Sequence, residues 1–343
     1  MATSSAMSLV TVLGVIVLMH QLSFASCADL GVNYGTRGSN LPSPFTVINF
    51  LTSGMMNNSI PLIRIQEPNQ EILQALRGTK LVVSMVIPDS SIPLMASDFG
   101  YASFWVNTFI LQYKDIRYRY LIVGSESIPG PNAQFILPAM SSLHDILGQA
   151  GLLNTIMVTT AVSASVLGTS YPPSAGHFSP QSEAIMGPIV RFLYDKSPLM
   201  IHVQPYNSLV LDPGISLDYA LFEAREPFID GTYRYYSLFE AIVDAFIYAI
   251  EKELGEEGVR IAVGQTGWPV AGYSSYANIQ NAMTYNNNLK ALVKGDKGTP
   301  RRPDLNLETY ILELFSEDLK STLDDKCFGT FYPNFSPIYE LWN

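Results

Sequence analysis

Val259-Arg-Ile-Ala-Val-Gly-Gln-Thr-Gly-Trp-Pro269 decides how this chain is read. Apolar and β-branched residues follow the acidic, helical run Glu251–Glu257, so a strand is expected over Val259–Val263. Gly264, Gly267 and Pro269 are expected to stop it. In a barrel of parallel strands the reacting groups sit at the C-terminal strand ends. The side chain entering a cleft from this strand is then Gln265, a carboxamide.

The pattern repeats outward from this stretch. Strands are expected at Leu30–Gly35, Leu62–Gln66, Lys80–Ile87, Tyr118–Glu126, Ile156–Val162, Leu199–Tyr206 and Tyr310–Phe315. Helices are expected between them at Thr46–Leu51, Gln70–Arg77, Ala102–Tyr113, Gln134–Gly148, Glu183–Leu193, Leu238–Leu254 and Asn281–Val293. Lys80–Ile87 is apolar on both faces, as a strand covered on both sides should be. Leu137, Met140, Leu143 and Leu147 form one helical stripe. This alternation predicts an α/β fold, a (β/α)8 TIM barrel forming a single domain over residues 29–343. The alternative is an open doubly wound sheet, but the Gly-rich dinucleotide fingerprint is absent after the first strand. A chain of 343 residues, 48% hydrophobic and 15% charged, can bury a core of that size. A net charge of −10 and no basic run point away from nucleic acid.

Residues 1–28 read as a signal peptide, with a short apolar core at Val10–Met19 and the small-residue pattern Ser26-Cys-Ala28. The core is too short for a comfortable membrane anchor. Secretion to the extracellular space or cell wall is expected, with the vacuole as the other destination and the mature chain a monomer. Cleavage removes Cys27 and leaves Cys327, expected as a buried small hydrophobe without a disulfide. His144, His177 and His202 have no metal-ligand spacing. Asn57-Asn-Ser59 fits a glycosylation acceptor; Asn334-Phe-Ser336 also fits, although Pro337 follows it. Arg301-Arg302 is expected in a solvated loop.

The strand ends bring together Tyr34, Gln66, Glu67, Ser125, Glu126, Tyr206, Gln265, Trp268, Glu317 and Lys320. Aromatic faces beside polar tips suit sugar rings, although Tyr and Trp can also simply cap a barrel. Glycoside hydrolysis usually needs two carboxyl groups flanking the bond, about 5 Å apart where configuration is retained. Glu126 can donate a proton; Gln265 cannot attack the anomeric carbon. His202 is expected as a hydrogen-bonded core or rim residue. Ser125 and Ser127 do not form a nucleophile elbow.

Several motifs carry a resemblance. They include Gly31-Val-Asn-Tyr-Gly35, Glu67-Pro-Asn69, Leu137-Pro-Ala-Met140, Val166-Leu-Gly-Thr-Ser-Tyr-Pro-Pro-Ser-Ala-Gly176, Gly298-Thr-Pro-Arg-Arg-Pro303 and Phe328-Gly329. Over nearly the whole mature chain the sequence resembles the plant endo-1,3-β-glucanases of glycoside hydrolase family 17. The resemblance implies a barrel with an open cleft for β-1,3-glucan, a retaining mechanism and no metal or organic cofactor. It places the acid/base Glu at Glu126, in Val123-Gly-Ser-Glu-Ser127, with Ser125 where the family carries Asn. The family's nucleophile position, in S-E-S-G-W-P, is Gln265 in Gly264-Gln-Thr-Gly-Trp-Pro269. Gln66 and Gln204 replace two Tyr, and His202 an Asn, while Phe315-Ser-Glu-Asp-Leu-Lys320 keeps Glu317 and Lys320. Tyr34, Gln66, Ser125, Gln204, Tyr206, Trp268, Phe315, Glu317 and Lys320 are thus expected to line the sugar site. The departures gather where the cleaved sugar would sit. The leading expectation is a secreted glucan binder that hydrolyses poorly or not at all. Against it stand an active endo-1,3-β-glucanase using another carboxylate, such as Glu317, and a non-carbohydrate decoy or structural role.

Overall fold

The computed structural model describes residues 30–342 apart from 55, 57, 58 and 296. The signal-peptide reading and Asn57 of the acceptor site lie outside the described residues. Eight parallel strands close into a barrel: β1 (Leu30–Tyr34), β2 (Leu62–Ile65), β3 (Val82–Ile87), β4 (Arg117–Ser125), β5 (Met157–Val162), β6 (Leu199–His202), β7 (Ile261–Thr266) and β8 (Thr309–Ile311). Each pairs with its sequence neighbours, and β8 pairs with β1. Closure leaves no free edge, so the sheet's backbone groups are paired within the barrel. Leu62, Val86, Tyr120, Ile122, Ala161, Met200, Ala262 and Tyr310 form one small buried cluster, contributed by seven of the eight strands. A larger apolar shell packs the strands against the helices.

The connecting helices start where the sequence supplies caps. Ser43, Asn69, Asp98, Ser179, Ser237 and Asn278 each accept a backbone N–H of the first turn. In the long helix α9 (Leu238–Leu254), numbering the α-helices among the described residues in chain order, Ser237 and Glu240 bond each other and Gly255 closes the other end at φ 74°. Two short hairpins were not anticipated: Leu167–Thr169 with His177–Phe178, and Phe228–Asp230 with Tyr233–Tyr235. Strands of two or three residues leave no periodicity to read.

Several expectations need correction. The sixth strand, expected through Tyr206, ends at His202, and Pro205–Leu211 is a helix with Pro at its first turn. The seventh strand does not stop at Val263 but runs through Gly264 to Thr266. Pairing with β6 slips there, from Val263 opposite Ile201 to Gln265 opposite His202, so Gly264 sits in a bulge. A Cβ on Gly264 would strike the Met200 side chain. The eighth strand ends at Ile311, and the expected continuation to Phe315 leaves the sheet. Its hydrogen bonds are taken elsewhere: Leu314 N–H by Asn33 and Glu313 N–H by Phe328.

Arg301 and Arg302 are also not a solvated pair. Arg301 bonds Glu251 at 2.7 Å and lies over the Tyr248 ring at 4.8 Å, and Arg302 bonds Glu251 and Glu257. The turn Thr299–Arg302 bonds across itself and aims both guanidinium groups at α9. The Glu251 side chain is only 13% exposed, so losing its charge leaves two cations short of a partner. Glu251→Gln is expected to cost about 1–2 kcal/mol in urea unfolding. A loss below a few tenths would show that solvent already screens the pair.

Candidate active site

The C-terminal rim collects the residues in question. β4 ends in a sharp turn, with Gly124 at φ 72° and Glu126 at φ 63°. A carboxylate residue in the left-handed region is held against a backbone cost of about 1–3 kcal/mol, a kind of strain that clusters at functional sites. The turn is pinned by Glu126 N–H to the Ala161 carbonyl at 2.8 Å and by the Ser127 hydroxyl to Asp89 at 2.6 Å. Glu126 is presented outward, its side chain 43% exposed.

Beneath it runs a buried polar layer. Arg64 is fully buried on β2. Its guanidinium donates to Asn33 Oδ1 at 2.8 Å, Gln66 Oε1 at 3.1 Å and Ser125 Oγ at 3.0 Å. Gln66 Nε2 donates to the same Asn33 oxygen at 2.9 Å. Asn33 Nδ2 donates to the carbonyls of Gly264 at 3.0 Å and Ile311 at 3.2 Å. One network therefore joins β1, β2, β4, β7 and β8 and grips the bulge that carries Gln265. Burial lowers the Arg64 pKa to about 10, so it stays charged at neutral pH.

His202 ends β6, two strands from β4 and next to β7. Its Nδ1 lies 2.5 Å from Glu126 Oε1, and its side chain has no exposure. Val203 N–H bonds the Gln265 carbonyl at 2.9 Å, so the backbone beside the His also fixes the amide residue. The His202 hydrogen bond holds the Glu126 carboxyl below its ordinary range despite burial, and the Arg64 charge adds to this. Burial holds the His202 ring below its own ordinary value. A neutral ring that donates from Nδ1 satisfies both shifts, leaving Nε2 buried without a partner.

A second charged cluster backs the rim. Lys320 Nζ lies 2.5 Å from Glu313 and 2.8 Å from Glu317. The Arg37 N–H also donates to Glu317. A side chain at Gly35 would strike the Glu317 carboxylate, so glycine is required there. Burial, with Glu317 beside it, drives the Glu313 pKa well up. Burial opposes the Glu317 charge too, but Glu313, Lys320 and the Arg37 N–H outweigh it and hold its pKa down. The two carboxyl groups thus share one counter-ion, with the negative charge favoured on Glu317.

Exposure divides the expected sugar-site residues. Glu126 is exposed, and Gln66, Ser125, Gln204, Gln265 and Lys320 are half-buried. Tyr34, Tyr206, Trp268, Phe315 and Glu317 lie in the wall, each 3% exposed or less. Trp268 packs against Tyr206 and Tyr285, and its Nε1 donates to the Tyr276 carbonyl at 2.8 Å. Open aromatic surface occurs instead at Tyr171, stacked on Phe228 at 4.8 Å, and at Tyr273. Sequence reasoning passed over Arg64, Asn33 and Glu313 as site residues. Their signal was a polar group inside an apolar strand or strand-like run, which burial makes costly unless it is paired. Cys327 is a half-buried free thiol rather than a fully buried one, and burial raises its pKa. A concavity of about 980 Å³ also opens at the far end of the barrel, beside Arg117, Met157, Arg260 and Glu308. That is the end where such barrels carry stability rather than reaction.

Comparison with known proteins fits this geometry. The sequence profile described as Glycosyl hydrolases family 17 matches residues 30–342. The chain belongs to that family. A glucan endo-1,3-beta-glucosidase of Vitis vinifera is 40% identical over 322 residues, covering 91% of each chain. A basic vacuolar isoform of the same enzyme from Nicotiana plumbaginifolia is 37% identical over 344 residues, covering 98% of this chain and 92% of its own. The solved structure of CJP38, a beta-1,3-glucanase and allergen of Cryptomeria japonica pollen, superposes with a TM-score of 0.86 at 39% identity, covering 92% of this chain and 98% of its own. The family 17 barrel expected from the sequence is therefore the observed fold, and these three relatives are named for action on β-1,3-glucan. No helix among the described residues is long and apolar enough to cross a membrane.

Proposed function

We propose that this family 17 chain binds β-1,3-glucan at the C-terminal rim and hydrolyses it weakly or not at all. The carrying observation is Gln265, at the bulge of β7 and paired with His202, the position to which the resemblance of Gly264-Gln-Thr-Gly-Trp-Pro269 assigns the attacking carboxylate. A neutral amide cannot supply the charge that an oxocarbenium-like transition state needs. Loss of a single stabilising group commonly costs 10²–10³-fold, and loss of the nucleophile costs more. Glu317 makes a poor substitute nucleophile, because it is 2% exposed and already bonded to Lys320 and the Arg37 N–H. The exposed Glu126 with half-buried Gln66, Ser125, Gln204 and Gln265 leaves a polar surface for sugar hydroxyls. The protein acts as a monomer outside the cell or in the cell wall, with the vacuole as the other destination, after removal of residues 1–28 and with no metal or organic cofactor.

The test pairs calorimetric titration of laminari-oligosaccharides with laminarin turnover by the purified mature chain. Saturable binding is expected, with turnover at least about 10²-fold below that of an active family member. Absence of binding would remove the carbohydrate role and leave a decoy or structural protein. Turnover at the rate of an active relative would show that another carboxylate serves.

A further inference from the structure

We infer that His202 is a second lock on the reaction site: through its Nδ1 it holds Glu126 as a hydrogen-bond acceptor, so that a carboxylate restored at position 265 does not by itself restore hydrolysis. The inference rests on the glucan-binding reading and deepens it, because it concerns the same rim.

The geometry leaves His202 little choice. Its side chain has no exposure and ends a barrel strand, so the ring cannot swing clear. Its Nε2 is buried without a partner, so a second proton there would place an unmatched N–H and a charge in the wall. One proton is therefore held on the ring, and it faces Glu126 Oε1 at 2.5 Å. The other groups facing Glu126 reinforce its charge: Arg64 from β2, and the Ser163 hydroxyl just after β5. On β7 the residue paired with His202 is the neutral Gln265.

A proton donor needs the opposite state. In retaining hydrolysis a carboxylate bonds the anomeric carbon as the bond to the leaving oxygen breaks, and that oxygen takes the proton of the acid. Water then displaces the enzyme carboxylate and returns a proton to the acid. Glu126 must hold a proton at the first step, and the donated N–H of His202 opposes this. His202 is a positioning residue here, acting through Glu126.

The experiment compares native chain, Gln265→Glu, and Gln265→Glu combined with His202→Asn or His202→Gln, on laminarin across pH. Laminari-oligosaccharide titration is run on each. Gln265→Glu alone is expected to stay slow and to speed up as pH falls. Addition of His202→Asn is expected to raise turnover at least about tenfold and to move the optimum toward neutral pH. His202→Gln, whose longer amide can still donate to Glu126, is expected to stay near the slow level. Equal rates and equal pH profiles with and without His202→Asn would overturn the inference, as would silence of all variants that still bind. Should the combined variants unfold, carbon-13 titration of the Glu126 carboxyl in the native chain decides. A midpoint below the ordinary glutamate range supports the lock, and one at or above it overturns the lock. Failure of the native chain to bind glucan would instead sink the proposed function.

Discussion

Lys320→Met is expected to destabilise the folded chain by about 3–5 kcal/mol at neutral pH, because it strips the counter-ion from two carboxyl groups buried in the wall. Glu313 and Glu317 have side chains 2% and 3% exposed, and Lys320 Nζ lies within 2.8 Å of both. Methionine matches the length of the lysine stem, so little of the loss comes from a cavity. Without the ammonium, burial would drive both carboxyl groups toward the neutral form, raising the Glu313 pKa further above its unfolded value and turning the depression at Glu317 into a rise. The folded variant then binds more protons than its unfolded chain between the ordinary carboxylate range and the raised values. Stability falls as pH rises through that window and is partly recovered at about pH 5. Urea unfolding at the two pH values checks this. A loss that does not change with pH would mean the carboxyl groups find other partners.

Arg64→Met is expected to cost about 1–3 kcal/mol and to weaken glucan binding at the same time. The guanidinium serves three acceptors, on Asn33, Gln66 and Ser125, and both Arg64 and Asn33 are fully buried. Its removal takes a donor from all three; the half-buried Gln66 Oε1 and Ser125 Oγ can turn to water, whereas the fully buried Asn33 cannot, and an unsatisfied buried group costs about 1–3 kcal/mol. Asn33 also loses one of its two donors, and Asn33 grips the carbonyl of Gly264 at the bulge. The orientation of Gln265 is therefore expected to loosen. Arg64→Lys keeps the charge but cannot reach three acceptors in one plane, so it should recover only part of the stability. Equilibrium unfolding and oligosaccharide titration on the two variants separate the charge from the geometry. Equal stability of Arg64→Met and the native chain would show that the layer is dispensable.

Both predictions depend on contacts that the linear sequence does not display. Arg64 and Ser125 are 61 residues apart, and His202 and Glu126 are 76 apart. Barrel closure brings them together, because the order of strands around the ring decides which ends are neighbours. The bulge at Gly264 is a similar case. The glycine was legible as an interruption, but only pairing with β6 shows that the strand continues past it and re-aims the next side chain.

Taken by itself, the sequence determined the eight-strand alternation, the helices between the strands and the identity of the groups at the strand ends, including the amide at position 265. These follow from local period and turn chemistry, which lie within a few residues of one another. The tertiary structure alone decided which polar groups meet, that Trp268 and Tyr206 lie in the wall, and that Arg301 and Arg302 are paired. It also decided that Glu126 faces a histidine donor and that Glu313 and Glu317 share one lysine. Pairing and burial are properties of the closed barrel: a side chain's partner and its exposure are set by the strand beside it, however distant that strand is along the chain.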